Sequence, residues 1–197
     1  MLDTDRAERT APEGVEGEVA SLYQQHANSL LRYAQARADS VETAREALQE
    51  AFLRYFIECS YGRQIHDARA WLFEVVRNYL LDRGRSLAAR REVVGEGMER
   101  VPDVSPDPEA LAEGRQMARD LQASLSAREM ECLRLRTEGL SYVEIGAAMK
   151  LRTGTVGALL ARAYEKIRKQ AEEGGRGGRA VAAALSCLMR ERTPCPG

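Results

Sequence analysis

The stretch SAREMECLRLRTEGLSYVEIGAAMKLRTGTVGALLARAYEKIRK, from Ser126 to Lys169, decides the fold of the second half of this chain. It contains the pattern Ser-x-x-Glu twice, once with Ser126 and Glu129 and once with Ser141 and Glu144. This pattern begins helices, because the serine hydroxyl accepts a hydrogen bond from one free amide while the glutamate accepts one from another. The two patterns and the longer apolar period that follows them predict three helices.

The order of these helices predicts a helix-turn-helix motif. Gly139 ends the first helix in a position suited to positive φ, and a second helix of about two turns leads to a turn at Lys150. Small residues at Gly146 and Ala147 allow the second and third helices to pack closely. Such a motif lays its last helix in the major groove of DNA, so the pattern favours DNA binding. The residues expected in its core are Leu133 to Leu135, Leu140, Val143, Ile145, Ala147, Ala148, Met149, Val156, Leu159, Leu160, Ala163 and Ile167.

Composition sets the class of protein. The 197 residues are 44% hydrophobic, enough for one or two packed domains, and 30% charged. The net charge of -1 is not that of a uniformly basic nucleic-acid binder. Basic residues are nevertheless in excess over 63–91 and over 121–170, whereas the acidic ones gather in the first twenty residues and over 96–113. Two basic modules joined by an acidic connector suit a protein that contacts a polyanion twice. The alternative is the ordinary surface charge of a helical protein.

No pattern in the chain points to catalysis, to a cofactor or to a metal. The four cysteines lack metal-ligand spacing, and no phosphate-binding glycine loop or nucleophile motif is present. Glu129 is expected to be a cap and Glu131 a solvated charge, while Cys132 is expected in the core. Cys187 and Cys195 stay open as a redox pair. No apolar run approaches the roughly 20 residues of a membrane span, so we expect a cytoplasmic protein without membrane contact.

The first half carries helical apolar stripes from Val19 to Ala34, from Val41 to Cys59 and, with Asp67 as its cap, from Ala68 to about Ala89. No strand pattern appears. We therefore predict an all-α protein with two small helical domains joined by an acidic flexible linker, the second being a helix-turn-helix domain. The predicted boundaries are 1–17 for a disordered lead, 18–92 for the first domain, 93–113 for the proline-bearing linker, 114–171 for the second domain and 172–197 for a C-terminal extension.

Two blocks of sequence resemble the extracytoplasmic-function sigma factors of bacterial RNA polymerase, within the sigma-70 family. The first is AREALQEAFLRYF over 44–56 followed by ARAWLFEVVRNYLLDRGR over 68–85, and the second is GLSYVEIGAAM over 139–149 followed by GTVGALLARAYEKIR over 154–168. The resemblance implies a first domain that binds the polymerase clamp and the minus 10 element, and a second that reads the minus 35 element. Its implied partners are core RNA polymerase, through the beta-prime clamp and the beta flap, and promoter DNA. It also allows for an anti-sigma factor.

The resemblance assigns roles to residues of the first domain. The resemblance implies that Leu48, Gln49 and Glu50 contact the polymerase. Melting promoter DNA without an energy source requires single-stranded bases to be bound better than paired ones, and aromatic stacking provides this preference. The residues expected to contact the strand are Tyr61 and Arg63 in the loop over 60–66, with Arg77 and Asn78 on the next helix. The aromatic residues Tyr55, Phe56 and Trp71 are expected in the core.

The second domain departs from the family pattern. Where these sigma factors have a glycine in the turn, a serine before the recognition helix and Lys-Ser-Arg within it, this chain has Lys150, Arg152 and the run over 157–159, Gly-Ala-Leu. Positive charge has therefore moved toward the helix N-terminus, where free amides also attract phosphate. We predict a dock anchored on phosphate, with relaxed minus 35 recognition. The residues expected to contact DNA are Lys150, Arg152, Thr153, Thr155 and Arg162.

Two other functions stay open from the sequence. The run SAREMECLRLRTEGLSYVEIG over 126–146 is also similar to the DNA-binding end of LuxR-like regulators. The altered recognition helix is compatible with an adaptor that binds polymerase without reading DNA. The extension over 172–197 lies outside the matched region and carries an amphipathic pattern, which suits either a sensing helix or a loosely ordered tail.

Overall fold

The computed structural model describes residues 14–94 and 123–173, and these residues contain helices and no strand. The predicted all-α class is confirmed. The predicted linker, apart from residues 93 and 94, and the extension beyond residue 173, with Cys187 and Cys195, lie outside the described residues. The helices are α1 (Val15–Gln35), α2 (Val41–Ser60), α3 (Ala68–Val94), α4 (Ala127–Thr137), α5 (Tyr142–Met149) and α6 (Thr153–Glu173).

Two predicted boundaries differ from the structure. α1 begins at Val15, so the last three residues of the predicted lead are helical, and Val15 itself is buried. Glu16 and Glu18 lie in the first turn, where their charge favours the helix dipole. α3 continues to Val94, two residues into the predicted linker. The predicted start of α3 is confirmed, because the Asp67 carboxylate accepts a hydrogen bond from the Ala70 amide at 2.9 Å.

The first domain is formed by α1, α2 and α3, each packed against the other two. Its core contains the expected stripes, because residues three and four apart fall on one face of a helix. Tyr33 and Phe73 meet edge to face in this core, with ring centroids 5.3 Å apart. The other buried side chains include Leu30, Ala44, Ala47, Leu48, Ala51, Phe52, Tyr55, Leu72, Val75, Val76 and Leu80.

The second domain has the predicted helix-turn-helix form. In both capping boxes the serine amide donates to the glutamate carboxylate, at 2.9 Å from Ser126 to Glu129 and at 2.7 Å from Ser141 to Glu144. Gly139 has a φ of +83°, as predicted. A Cβ on Gly146 would lie 2.8 Å from the Leu151 carbonyl oxygen, so the turn closes only over a glycine.

Two residues of α5 were predicted to face the core and do not. Val143 is 65% exposed, and Ala147 is exposed as well. The reason is the length of α5, since eight residues offer only one buried side, which Ile145, Ala148 and Met149 occupy. Ala147 instead faces the first domain. The remaining core predictions of this domain hold for Leu133, Leu135, Leu140, Val156, Leu159, Leu160, Ala163 and Ile167.

The two domains contact each other directly. α3 packs against α5, and one cluster of buried apolar side chains continues from the first domain into the second. Cys132 is fully buried in this cluster, as predicted, with its thiol 3.5 Å from the sulfur of Met149.

Candidate nucleic-acid interface

A shallow cleft of about 210 Å³ lies where the loop after α2 meets the start of α3. Trp71, which was predicted in the core, is only half-buried and lines this cleft. Its ring meets Tyr55 edge to face, with centroids 5.6 Å apart, so the packing of Tyr55 fixes the orientation of Trp71. The residues around the cleft are Arg63, Gln64, Ile65, His66, Asp67, Ala70, Trp71, Glu74 and Ala147.

Of the two predicted loop contacts, Arg63 lines this cleft, and Tyr61 lies two residues before it in the chain. Tyr61 follows the last turn of α2 and is 70% exposed. Arg63 donates to the Glu58 carboxylate at 3.0 Å, with its side chain 58% exposed. An exposed ion pair of this kind contributes little stability, so Arg63 can exchange Glu58 for a phosphate at small cost.

Of the two predicted strand contacts on α3, Arg77 points toward the second domain. Arg77 donates to the Asn78 amide oxygen at 3.3 Å. Its Nε lies 3.5 Å from the carboxylate of Glu131 on α4, and both side chains are largely enclosed. The structure therefore brings Arg77 and Asn78 together, with Arg77 directed at a carboxylate of the helix-turn-helix domain.

Glu131 corrects a prediction, because it is not a solvated charge. The residue is only 5% exposed, and its carboxylate accepts hydrogen bonds from the Tyr33 hydroxyl and from Arg37. Burial raises the pKa of Tyr33, which keeps the hydroxyl protonated and able to donate. A carboxylate of the second domain is thus inserted among the cations of the first. A buried charge is tolerated only with such partners.

Further polar contacts join the domains around α4 and α5. Arg69 donates to the carbonyl oxygens of Glu138 and Gly139 at 2.7 and 3.3 Å, and to the Glu144 carboxylate at 3.2 Å. The Glu138 carboxylate accepts from Arg32 at 2.9 Å. Burial raises the pKa of Glu138, although Arg32 partly offsets this.

Lys150 makes the reverse contact, from the second domain to the first. It closes α5 with a φ of +55°, and its Nζ lies 2.7 Å from the Glu74 carboxylate on α3. Its side chain is 74% exposed. The sequence had placed Lys150 in the turn but gave no signal for Glu74 as its partner.

The start of α6 presents the other predicted DNA contacts. Arg152, Thr153 and Thr155 are exposed at its N-terminus. Arg162 is 62% exposed, 3.8 Å from the Glu129 carboxylate, and it donates to the Ala158 carbonyl one turn earlier. Between these positions the side of the helix that is not buried carries only Gly157, Ala158 and Ala161. The structure therefore brings four of the five residues to one end and one side of α6, while Lys150 turns toward Glu74.

Gly157 interrupts the exposed side of α6 and lies beneath an aromatic ring. A Cβ at this position would come within 3.8 Å of the Tyr142 ring, an ordinary contact distance. Tyr142 is itself held over the guanidinium of Arg136 at 5.8 Å. The recognition helix thus has room for a small side chain here, but no charge.

The three predicted polymerase contacts occupy different environments on α2. Leu48 is 6% exposed, so its side chain belongs to the core and not to the surface. Gln49 is exposed, and the half-buried Glu50 pairs with Arg54 one turn later. Two apolar side chains missed by the sequence reasoning, Leu53 and Ile57, are 55% and 43% exposed. Their spacing of four residues, off the buried stripe, was the signal that could have found them.

A second shallow groove, of about 420 Å³, lies between α1 and this part of α2. Phe56, predicted in the core, is half-buried and lines it. Tyr23 lies opposite on α1, 51% exposed and in a tilted contact with Phe52 at 5.0 Å between ring centroids. Together with Leu53 and Ile57, these side chains extend an apolar surface across the outside of the first domain.

Residues 14–94 and 123–173 contain no group of His, Cys, Asp and Glu side chains that could hold a metal ion. Across the same ranges, no helix is both long enough and apolar enough to cross a bilayer.

Comparison with known proteins shows which class of protein combines these two domains. The family model for sigma-70 region 2 matches residues 22–91, and the model for bacterial regulatory proteins of the luxR family matches residues 123–171. The solved structure of the sigma factor RpoE in complex with the anti-sigma factor NepR from Bartonella quintana shares the fold. It has a TM-score of 0.56, 20% identity and coverage of 77% of this chain and 97% of that one. A region 2 domain followed by a helix-turn-helix domain defines a sigma factor architecture.

Proteins of similar sequence show to which group of sigma factors the chain belongs. The chain is 32% identical over 155 residues to the ECF RNA polymerase sigma factor SigE of Mycolicibacterium smegmatis, a match that covers 75% of this chain and 59% of that protein. It is also 32% identical over 158 residues to the ECF RNA polymerase sigma factor SigL of Mycobacterium tuberculosis, with coverage of 79% and 89%. The chain belongs to the extracytoplasmic-function sigma factors of the sigma-70 family. Their region 2 domain disfavours the LuxR-like alternative.

Proposed function

We propose that this chain binds core RNA polymerase and directs it to a limited set of promoters, where it melts the DNA and starts transcription. The observation that carries the proposal is the presence, in one chain, of a region 2 domain with an aromatic cleft and a helix-turn-helix domain with a cationic helix N-terminus. The role is regulatory and not enzymatic. Because promoters and polymerase lie in the bacterial cytoplasm, the proposal places the protein there.

The outward face of α2 is the proposed polymerase contact. Gln49 and Glu50 offer polar groups, and Leu53 and Ile57 add exposed apolar area beside them. Apolar side chains left in water on a helix face indicate a binding surface when they lie together. Leu48 supports this face from the core, where its 6% exposure places it.

The cleft beside Trp71 is the proposed site for a base of the melted minus 10 strand. Tyr61 and Trp71 provide aromatic faces, and stacking on such faces contributes about 1–3 kcal/mol per base without reading sequence. Arg63 and Arg77 supply charge for the phosphates nearby. Asn78 offers both a donor and an acceptor to a base edge, so it is the residue best suited to discriminate among bases.

The N-terminus of α6 is the proposed minus 35 contact. Arg152, Thr153 and Thr155 surround free helix amides, which favours a phosphate at this position. The outward residues Gly157, Ala158 and Ala161 are small and leave few groups to reach base edges, and this supports relaxed reading of the minus 35 sequence.

Transcription in vitro tests the proposed function. Core polymerase and this chain, with no other sigma factor, are expected to yield transcripts that start at defined positions on genomic DNA fragments. A chain that yields transcripts only when a second sigma factor is added would be an activator or adaptor instead. Trp71→Ala is expected to reduce initiation on duplex promoters more than on templates melted in advance, because stacking assists melting. Control templates without a promoter should stay silent.

An anti-sigma factor is a further partner that the proposal includes, because the RpoE structure contains one. Its test is co-purification of the chain with the product of a neighbouring gene, followed by transcription with and without that product.

A further inference from the structure

The shallow groove between α1 and α2 leaves apolar side chains in water. Ala20 and Tyr23 are exposed in it, and Val19 and Phe56 are only half-buried. We propose that the C-terminal segment over 179–192 of the same chain docks in this groove, as an amphipathic helix whose apolar side lies against α1 and α2. The inference goes beyond the proposed function and does not depend on it.

The size and composition of the groove are the first observation. Its volume is about 420 Å³, and the exposed Leu53 and Ile57 on α2 continue the apolar surface beyond it. Contiguous apolar side chains on the surface of a protein indicate a binding site, because their exposure to water is unfavourable. The groove therefore fits an apolar partner of helical width.

The sequence over 179–192, which lies outside the described residues, has the pattern of such a partner. Its apolar residues are spaced by three and four positions, so a helix would carry them on one side. Amphipathic helices bind hydrophobic grooves through anchors at this spacing. The anchors are Val181, Ala184, Leu185, Leu188 and Met189.

Charge distinguishes this segment from the other two stretches outside the described residues. Residues 1–13 contain four acidic and two basic side chains, and residues 95–122 contain seven and three. Residues 174–197 contain one and four, a net charge of +3. α1 has Glu16 and Glu18 in its first turn and no Lys or Arg before Arg32, and Glu16 lines the groove. Opposite charge therefore favours the C-terminal segment over the other two.

The connection from α6 is long enough to carry the segment to another part of the molecule. α6 ends at Glu173, and residues 174–180 separate it from the first anchor, Val181. Four of these seven residues are glycines, which disfavour continuation of the helix. Fully extended, they span up to about 25 Å, more than twice the distance of about 10 Å between packed helix axes.

Photocrosslinking of the full-length chain tests the docking. A benzophenone amino acid replaces Gln24, which lines the groove and is exposed. The matched control carries the same group in place of Gln25, which is also exposed but donates to the Ser21 hydroxyl at 2.9 Å, outside the groove lining. On irradiation in dilute solution, the probe at position 24 should join to residues 181–189 of its own chain, and the probe at position 25 should not.

Substitutions on each side of the contact sharpen the test. Leu185→Asp should lower the yield of this crosslink about tenfold, because docking would bury a charge without a partner. Ala183→Asp makes the same charge change on the opposite side of the proposed helix and should leave the yield unchanged.

The groove is altered in the same way. Ala20→Arg places a bulky cation in it and should lower the yield, whereas Ser21→Arg places the same side chain outside the groove lining and should not. Circular dichroism of each variant checks that the helices are retained, and Leu185→Asp alters no described residue.

Three results would overturn the proposal. One is a probe at position 24 that does not join to the C-terminal segment. Another is a product of twice the chain mass, which would make the occupant the segment of a second copy. The third is an equal loss of yield in Leu185→Asp and Ala183→Asp, which would mean that the apolar side of the segment does not face the groove.

Discussion

The two sides of α4 carry glutamates of the same burial with different partners. Glu129 is 4% exposed and Glu131 is 5% exposed, and they stand two residues apart. Glu129 faces its own domain, where it accepts from the Ser126 amide at 2.9 Å and from Lys166 at 2.7 Å. Glu131 faces the other domain and accepts from Tyr33 and Arg37. One carboxylate holds the helix-turn-helix together, and the other joins it to the first domain.

The comparison shows that one short helix carries two separate contacts. One stabilises its own domain, and the other joins the two domains. Loss of the Glu129 contacts should weaken the second domain while the domains still meet. Loss of the Glu131 contacts should part the domains while each keeps its own fold. The predictions below test this separation, from the largest expected effect to the smallest.

Glu131→Ala is expected to cost the most, about 3–5 kcal/mol of interdomain stabilisation, because it leaves a buried cation cluster without its carboxylate. The cost should appear as loss of hydrogen-exchange protection on the surfaces of α3, α4 and α5 that meet. The core helices of each domain should keep their protection. Equal loss of protection throughout the second domain would contradict a role confined to the interface.

Tyr33→Phe removes one donor to Glu131 and keeps the ring that packs against Phe73. Hydrogen bonds to charged groups contribute about 1.5–3 kcal/mol, so the domains should part more readily than in the wild type but less than in Glu131→Ala. The yield of the amide that a carbodiimide forms between Glu74 and Lys150, whose charged groups lie 2.7 Å apart across the interface, measures this order. Tyr55→Phe is the control, because its hydroxyl donates to Glu18 within the first domain at 2.6 Å. If Tyr55→Phe reduced the Glu74–Lys150 crosslink as much, the effect of Tyr33→Phe would come from general destabilisation of the first domain.

These two glutamates also mark what the sequence could and could not predict. The role of Glu129 followed from Ser126, because a capping box is complete within four residues. Glu131 meets Tyr33 and Arg37 across separations of 98 and 94 residues, and no local pattern specifies such partners. A glutamate without a local partner is ordinarily exposed, so a solvated charge was the expectation even though its neighbours Met130 and Cys132 are buried.

In the rest of the molecule, too, features set by local sequence were predictable and contacts between distant residues were not. The apolar stripes, Gly139 and Gly146 were predictable because helix periodicity and turn geometry are local. Trp71 was placed in the core because an aromatic residue within an apolar stripe is usually buried, whereas the cleft that exposes it forms only when α3 meets the loop after α2 and α5. Leu48 was assigned to the surface by resemblance, although its own stripe predicted the buried position that the structure gives it.

Glu129→Ala should lower stability by less than Tyr33→Phe does. It should destabilise the second domain itself and leave the interface between the domains intact. It removes a capping bond and the Lys166 pair, which together contribute about 1–2 kcal/mol to the second domain. The midpoint of chemical unfolding, followed by exchange of amides in α4 and α6, should move to lower denaturant. The yield of the crosslink between Glu74 and Lys150 in the native state should be unchanged. Its loss would show that the cap and the interface are not separable.

The pH dependence of the second domain should also follow Glu129. Its bond with Lys166 lowers the pKa of Glu129 below its ordinary value of 4.5, an effect that burial opposes and the Ser126 bonds reinforce. A lowered folded pKa gives stability that is present above the unfolded pKa and is lost as pH falls through the folded one. Glu138 has a raised pKa, so its contribution changes in the opposite direction.

Glu129→Gln isolates this contribution, because glutamine retains the capping bond and loses the charge. Thermal unfolding followed between about pH 6 and pH 3 should show a smaller loss of stability in Glu129→Gln than in the wild type. Glu165→Gln, with an exposed pair, serves as the charge-matched control. Parallel pH profiles for the wild type and Glu129→Gln would show that Glu129 is not the source of the stability lost at low pH.

The smallest effect is expected on the free side of the second domain, where no carboxylate of the first domain intervenes. Arg152→Ala and Arg162→Ala each remove one phosphate contact, so promoter binding by the polymerase complex should weaken similarly on every minus 35 sequence. Each should reduce the salt dependence of binding by about one unit of slope. Footprints at several salt concentrations, on promoters with native and scrambled minus 35 elements, measure both quantities. An unchanged footprint in both variants would reject the phosphate-anchored dock. Weakening on the native element alone would show that these arginines read bases, and it would make α6 a specific reader despite its small side chains.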